Sequence, residues 1–169
     1  MIFENAKRRL HAVGVLLENI SATGISNNTK SSYYRSVLIL LSTIVEGLVY
    51  ELVRRSTIST GHVVDEKTEH AEKYKIPAAV LGAKNDYYLC EKTKKKVLIA
   101  DNGVTFGVLN NYLKNKRIVS LAEYKLLDWS RKERNKLHLQ SLTLPDTGYT
   151  KSKIDKMGSA VFFLLKKMT

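Results

Sequence analysis

The chain has 169 residues, 28 Lys and Arg against 16 Asp and Glu, and a single cysteine, Cys90. The length favours one domain with a real core, and the lone thiol excludes an internal disulfide or a zinc site built on paired thiolates. The net charge of +12, with a pI near 9.7, is the departure from an ordinary composition. It draws polyanions, nucleic acid being the commonest, with an acidic protein as the other partner of that charge.

In chain order, Met1 to Leu17 carries Lys7, Arg8 and Arg9 without an apolar run behind them, so no signal peptide is expected. The first helix is predicted from about Phe3 to Ile20, with Leu10, Val13, Leu17 and Ile20 at helical spacing. Ala22 to Thr29 reads as a loop. The second helix, from about Lys30 to Arg55, has a wide apolar face from Tyr34 to Leu52 and is predicted to be central. Glu46 and Glu51 interrupt it, so it reads as a buried bundle helix and no membrane partner is expected. Glu46 needs either water or a buried partner.

Ser56 to Val64 reads as a connector, and Asp65 to Tyr74 as a short charged helix ending before Pro77, with His70 solvated. Tyr87 to Cys90 and Lys96 to Ile99 are β-prone runs flanking a polar turn, Glu91 to Lys95, and predict a small hairpin in which Cys90 is a strand residue. Asp101-Asn102-Gly103 is turn chemistry, and a helix from about Thr105 to Asn115 follows. Ser120 and Glu123 form a Ser-x-x-Glu capping box that opens the next helix. Ala122, Leu126, Trp129 and Leu137 read as its apolar stripe, with Glu133 unexplained among them. Pro145 and Gly148 mark a loop, and a last helix runs from about Lys151 to Lys167.

Residues 131 to 138, Arg-Lys-Glu-Arg-Asn-Lys-Leu-His, carry the chemistry. Arg131, Arg134, Asn135 and His138 stand at 0, +3, +4 and +7, which places them on one helical stripe. The apolar stripe is expected roughly opposite. Two guanidiniums can grip a phosphate, and an imidazole beside them can move a proton. Cleavage of RNA without a metal needs those groups: a base for the 2′-hydroxyl, an acid for the leaving 5′-oxygen and positive charge around the phosphorane. Asn135 could orient the imidazole, and Lys132 and Lys136 are assigned to the RNA backbone. One histidine supplies one proton-transfer role, so two chains are needed for both. No metal-ligand spacing, Gly-rich phosphate loop or nucleophile elbow occurs, and neither a metal nor a cofactor is expected.

A hydrophobic helix with a mid-helix Glu46, followed much later by Arg-x6-His over Arg131 to His138, resembles the HEPN superfamily. The spacing from Arg134 to His138 is shorter than that family's, so which arginine takes the family role stays open. The resemblance implies an all-α, up-and-down bundle of four to five main helices, to which the residue pattern adds a small β-hairpin around 87–99. It implies a single domain over 1–169, with an insertion at approximately 60–104. It also implies metal-independent endoribonuclease activity on single-stranded RNA, a homodimer with a composite active site, and a toxin–antitoxin or anti-phage defence setting. Arg131, Arg134, Asn135 and His138 would be catalytic, and Glu46 would support an arginine or the imidazole. A toxin branch carries a tyrosine two residues after the histidine. Gln140 stands there, so an antitoxin that modifies that tyrosine is not implied. A cytoplasmic location is expected. A non-catalytic module of the same kind, binding RNA, a nucleotide or a protein, is the alternative reading. A purely structural charged helix is the third.

Overall fold

The computed structural model describes residues 2–21, 24–57, 63–100, 103–139 and 148–168, without the side chains of residues 2, 3, 138 and 139. Pro145, Gln140 and the Asp101-Asn102 pair lie outside the described residues. The chain divides into two compact units, a helical one (Met1–Ile58 with Thr105–Thr169) and another at Ser59–Val104.

In the helical unit α1 (Ile2–Ser21) packs on α2 (Asn27–Ser56), which also touches α4 (Phe106–Asn115), α5 (Leu121–Leu139) and α6 (Lys151–Met168). The α2 helix starts earlier than its apolar pattern suggests because Ser26 caps it, its hydroxyl accepting from the Thr29 N–H at 3.1 Å. Val37, Val45, Leu48, Val49 and Val53 are fully buried. α2 is long and apolar enough to cross a membrane, yet most of its apolar side chains are covered by the other helices. The capping box forms as expected. The Glu123 carboxylate accepts from the Ser120 N–H at 2.6 Å, and the Ser120 hydroxyl accepts from the Glu123 N–H at 3.3 Å. The α5 helix runs antiparallel to α4 and to α6. Glu133 pairs with Lys153 near the start of α6, and Glu123 lies by Lys167 near its end. Tyr124 meets Asn111 late in α4, and Arg131 lies against Gly107 early in α4.

The second unit overturns the all-α expectation, for the protein is mixed α and β. β1 (Val63–Ile76) and β2 (Tyr87–Leu98) form a long antiparallel two-stranded ribbon. Asp65–Tyr74, expected as helix, is strand, and Glu91–Lys95, expected as a turn, is the middle of β2. The reason is non-local. Lys73 pairs with Glu91 at 2.8 Å, Lys94 with Glu66 at 3.3 Å and Lys95 with Glu69 at 3.7 Å. Opposite charges across the ladder satisfy a polar strand whose own sequence has no apolar alternation. The true reversal lies at 77–86. Pro77 opens the one-turn helix α3 (Ala78–Leu81), and Gly82 takes φ 61° at its end. Asp86 closes the loop by accepting from the Ala78 N–H at 2.9 Å. His70 and Cys90 are exposed strand residues.

Glu51 is the most perturbed carboxylate among the described residues of the helical unit. Buried near the end of α2, it accepts from Arg54 at 2.8 Å and from Arg55 at 3.0 Å. Hydrogen bonding from Arg54 first, then from Arg55, outweighs burial and holds its pKa down at about 2, against an ordinary 4.5. A depressed carboxylate stabilises the fold above its unfolded pKa, and that contribution fades as pH falls from about 4.5 toward 2. Glu51→Gln is expected to cost about 1–2 kcal/mol at pH 7, less than the full shift because both arginines are largely solvated. Urea unfolding at pH 7 and pH 3 should show the gap between wild type and variant narrowing in acid. A gap of constant size would refute the linkage.

Candidate functional site

The buried face of the motif helix shares Leu137 and Glu133 with the side its apolar residues mark, and is turned from there toward Leu127. Ala122 is exposed and Leu126 and Trp129 are half-buried, whereas Leu127, Ser130, Glu133 and Leu137 are buried. At about 100° per residue, Leu127 lies within about 40° of Arg131 and about 20° of Arg134 and His138 around the axis. Ser130, Glu133 and Leu137 lie on the far side of Leu127 from Arg131, so the Arg/His stripe borders the inward face of α5 along its Arg134 edge, neither coinciding with it nor standing opposite. The side chains of Arg131 and Arg134 are 31% and 28% exposed. Charge pairing makes this possible, because a buried polar group needs its partner.

Each arginine goes to a different neighbour. Arg134 reaches α2, its Nη2 lying 2.8 Å from Glu46 Oε2, while its buried Nε has no hydrogen-bond partner. Arg131 lies toward α4, where the Cβ of a residue replacing Gly107 would meet its Cδ at 3.7 Å. Its Nε and Nη2 both donate to Asp128 Oδ1, at 3.0 and 2.8 Å. Lys132 takes the other oxygen of Asp128 at 2.8 Å. Lys132 first, then Arg131, holds the Asp128 carboxyl below its ordinary pKa, so it stays ionised at the site. Asp128 was missed as a site residue, although its i,i+3 and i,i+4 spacing to Arg131 and Lys132 is a readable signal.

A crevice of about 340 Å³ opens between α4 and α5 beside Arg131, lined by Thr105, Asn110, Asn111, Tyr124 and Asp128 among others. Asn110 is 1% exposed and its Oδ1 has no hydrogen-bond partner. Asn135 is exposed. Lys136 donates to Glu133 at 2.8 Å, and Lys153 lies 3.2 Å from the same carboxylate. Glu133 is thereby explained. Burial pushes its carboxyl up, but the two lysines outweigh that and leave it depressed. His138 sits in the last turn of α5, and its side chain lies outside the described residues. Among the described residues no three His, Cys, Asp or Glu side chains gather as metal ligands would.

The structure thus brings Arg134 to Glu46 and Arg131 and Lys132 to Asp128, and leaves Asn135 in solvent. No protein-family model, curated protein or solved structure matches this chain.

Proposed function

We propose that the protein is a metal-independent endoribonuclease acting on single-stranded RNA, with Arg131, Arg134 and His138 on α5 as its working groups. The observation that supports it most is the 2.8 Å pair between Arg134 and Glu46. It fixes a guanidinium in a half-buried setting on the stripe that also holds Arg131 and, one turn on, the backbone of His138. A cation held in place before the reaction stabilises developing charge without reorganising.

In the reaction the ribose O2′ forms a bond to phosphorus and the P–O5′ bond breaks. The imidazole of one His138 takes the 2′-proton, and that of a second copy protonates the leaving O5′. A two-fold homodimer with a composite cleft follows from that need. Products are a 2′,3′-cyclic phosphate and a free 5′-hydroxyl. A toxin or defence role, with a protein antitoxin as possible partner, is the setting we infer for such an activity.

Purified protein with single-stranded RNA in excess EDTA is expected to yield 2′,3′-cyclic ends at the rate seen without chelator. Loss of all cleavage in EDTA refutes the metal-independent scheme. A second reading, a binding module without catalysis, is favoured by Asp128. That carboxylate offsets Arg131 and Lys132 where phosphate charge would otherwise be met. On that reading RNA is retained and remains intact.

A further inference from the structure

The positive charge is unevenly placed. The helical unit carries 20 Lys and Arg against nine Asp and Glu, and Ser59–Val104 carries eight against seven. Within the helical unit the motif cations face carboxylates, as described above. The excess gathers instead where α4 turns into α5 and α6 ends. Lys114, Lys116, Arg117 and Lys167 stand there, and the carboxylate among the described residues beside them is Glu123, which caps α5 and lies 3.7 Å from Lys167.

Two surface features adjoin at this end. A cleft of about 620 Å³ is lined by Lys114, Arg117, Leu121 and Lys167 among others. A second crevice, of about 350 Å³, shares Glu123 and Lys167 with it and adds Phe162, Phe163 and Lys166. Phe162 is 71% exposed, an aromatic ring in water beside a basic groove. Arg117 adds an independent sign. It is the one described non-glycine residue with positive φ, at 56°, in the position after α4 where the Ile118 N–H returns to the Leu113 carbonyl at 2.9 Å. Glycine takes that left-handed position without strain. An arginine held there despite the strain suggests that its charge is used.

We propose that this end of the helical unit holds single-stranded nucleic acid, its phosphates along Lys114, Arg117 and Lys167 and a base stacked on Phe162. A basic track with an exposed aromatic platform is the arrangement that binds single strands without sequence preference. An acidic protein would use the cations but not the ring. Along α5, the cleft at Ser120 lies about 16 Å from Arg131 and about 27 Å from His138, a span of a few nucleotides. The surface would hold the strand that the motif cuts. The proposal rests on the ribonuclease reading for that use, and is tested by binding alone.

The probe is a fluorescent 2′-O-methyl oligouridine, which lacks the attacking hydroxyl and stays whole. Anisotropy titrations with the full chain should show about tenfold weaker binding by Phe162→Ala, restored in Phe162→Trp. Arg117→Gly should weaken binding severalfold and lower the salt slope by about one. It should also raise Tm by about 2–4 °C through relief of strain, so weaker binding cannot be put down to unfolding. Wild-type binding by both Phe162→Ala and Arg117→Gly overturns the proposal. So does tighter binding of polyglutamate than of the oligonucleotide, which would make this a surface for acidic protein. If these variants bind normally while cleavage depends on His138, the strand-holding surface fails alone. If they lose binding while His138→Ala still cuts, the catalytic reading fails alone.

Discussion

Replacing His138 with alanine is expected to lower the cleavage rate on single-stranded RNA by about 10²–10⁴-fold, the usual worth of a general acid or base. In the dimer that we propose, the single substitution removes both proton-transfer groups, so the loss should lie toward the upper end. Thermal unfolding should change little, because the substitution lies in the last turn of α5. The arginines give a graded contrast. Arg131→Ala should also abolish cleavage, leaving Asp128 still paired to Lys132. Arg134→Ala should reduce cleavage and stability together, since it leaves half-buried Glu46 without its cation. Cleavage at the wild-type rate by His138→Ala would remove the imidazole from the mechanism.

Leu127→Ala should cost about 2–5 kcal/mol, the range for deleting a leucine side chain from a close-packed core. Leu127 is fully buried, on the same meridian of α5 as the Arg/His stripe. For a chain of this size the loss corresponds to a fall in Tm of about 5–15 °C. Ala122→Ser, on the exposed face of the same helix, should move Tm by a degree or two at most. Calorimetry on the two variants tests directly which face of α5 is inward. A Leu127→Ala protein as stable as wild type would mean that Leu127 does not face the core and that the inward face of α5 ends at Ser130.

Local signals decided a good deal of this molecule. The apolar face of α2, the Ser120/Glu123 box and the helical period of the terminal segments depend on side chains within a few residues of one another. Such patterns can be read along the chain, and they place Arg131, Arg134 and the backbone of His138 on one helix. The ribbon depends on partners 11 to 35 residues away. Lys94 and Lys95 look like turn or surface lysines until Glu66 and Glu69 stand across from them, and only the ladder brings them there. The charged part of the inward face of α5 was hidden for the same reason. Leucine and tryptophan mark burial by themselves, whereas Arg134 and Glu133 enter the interior only because Glu46 and Lys153, on other helices, meet their charge. Hydrophobic spacing records the cost of exposing a side chain to water. It does not record a countercharge supplied from elsewhere in the fold, and at the candidate site that countercharge determines where each basic group lies.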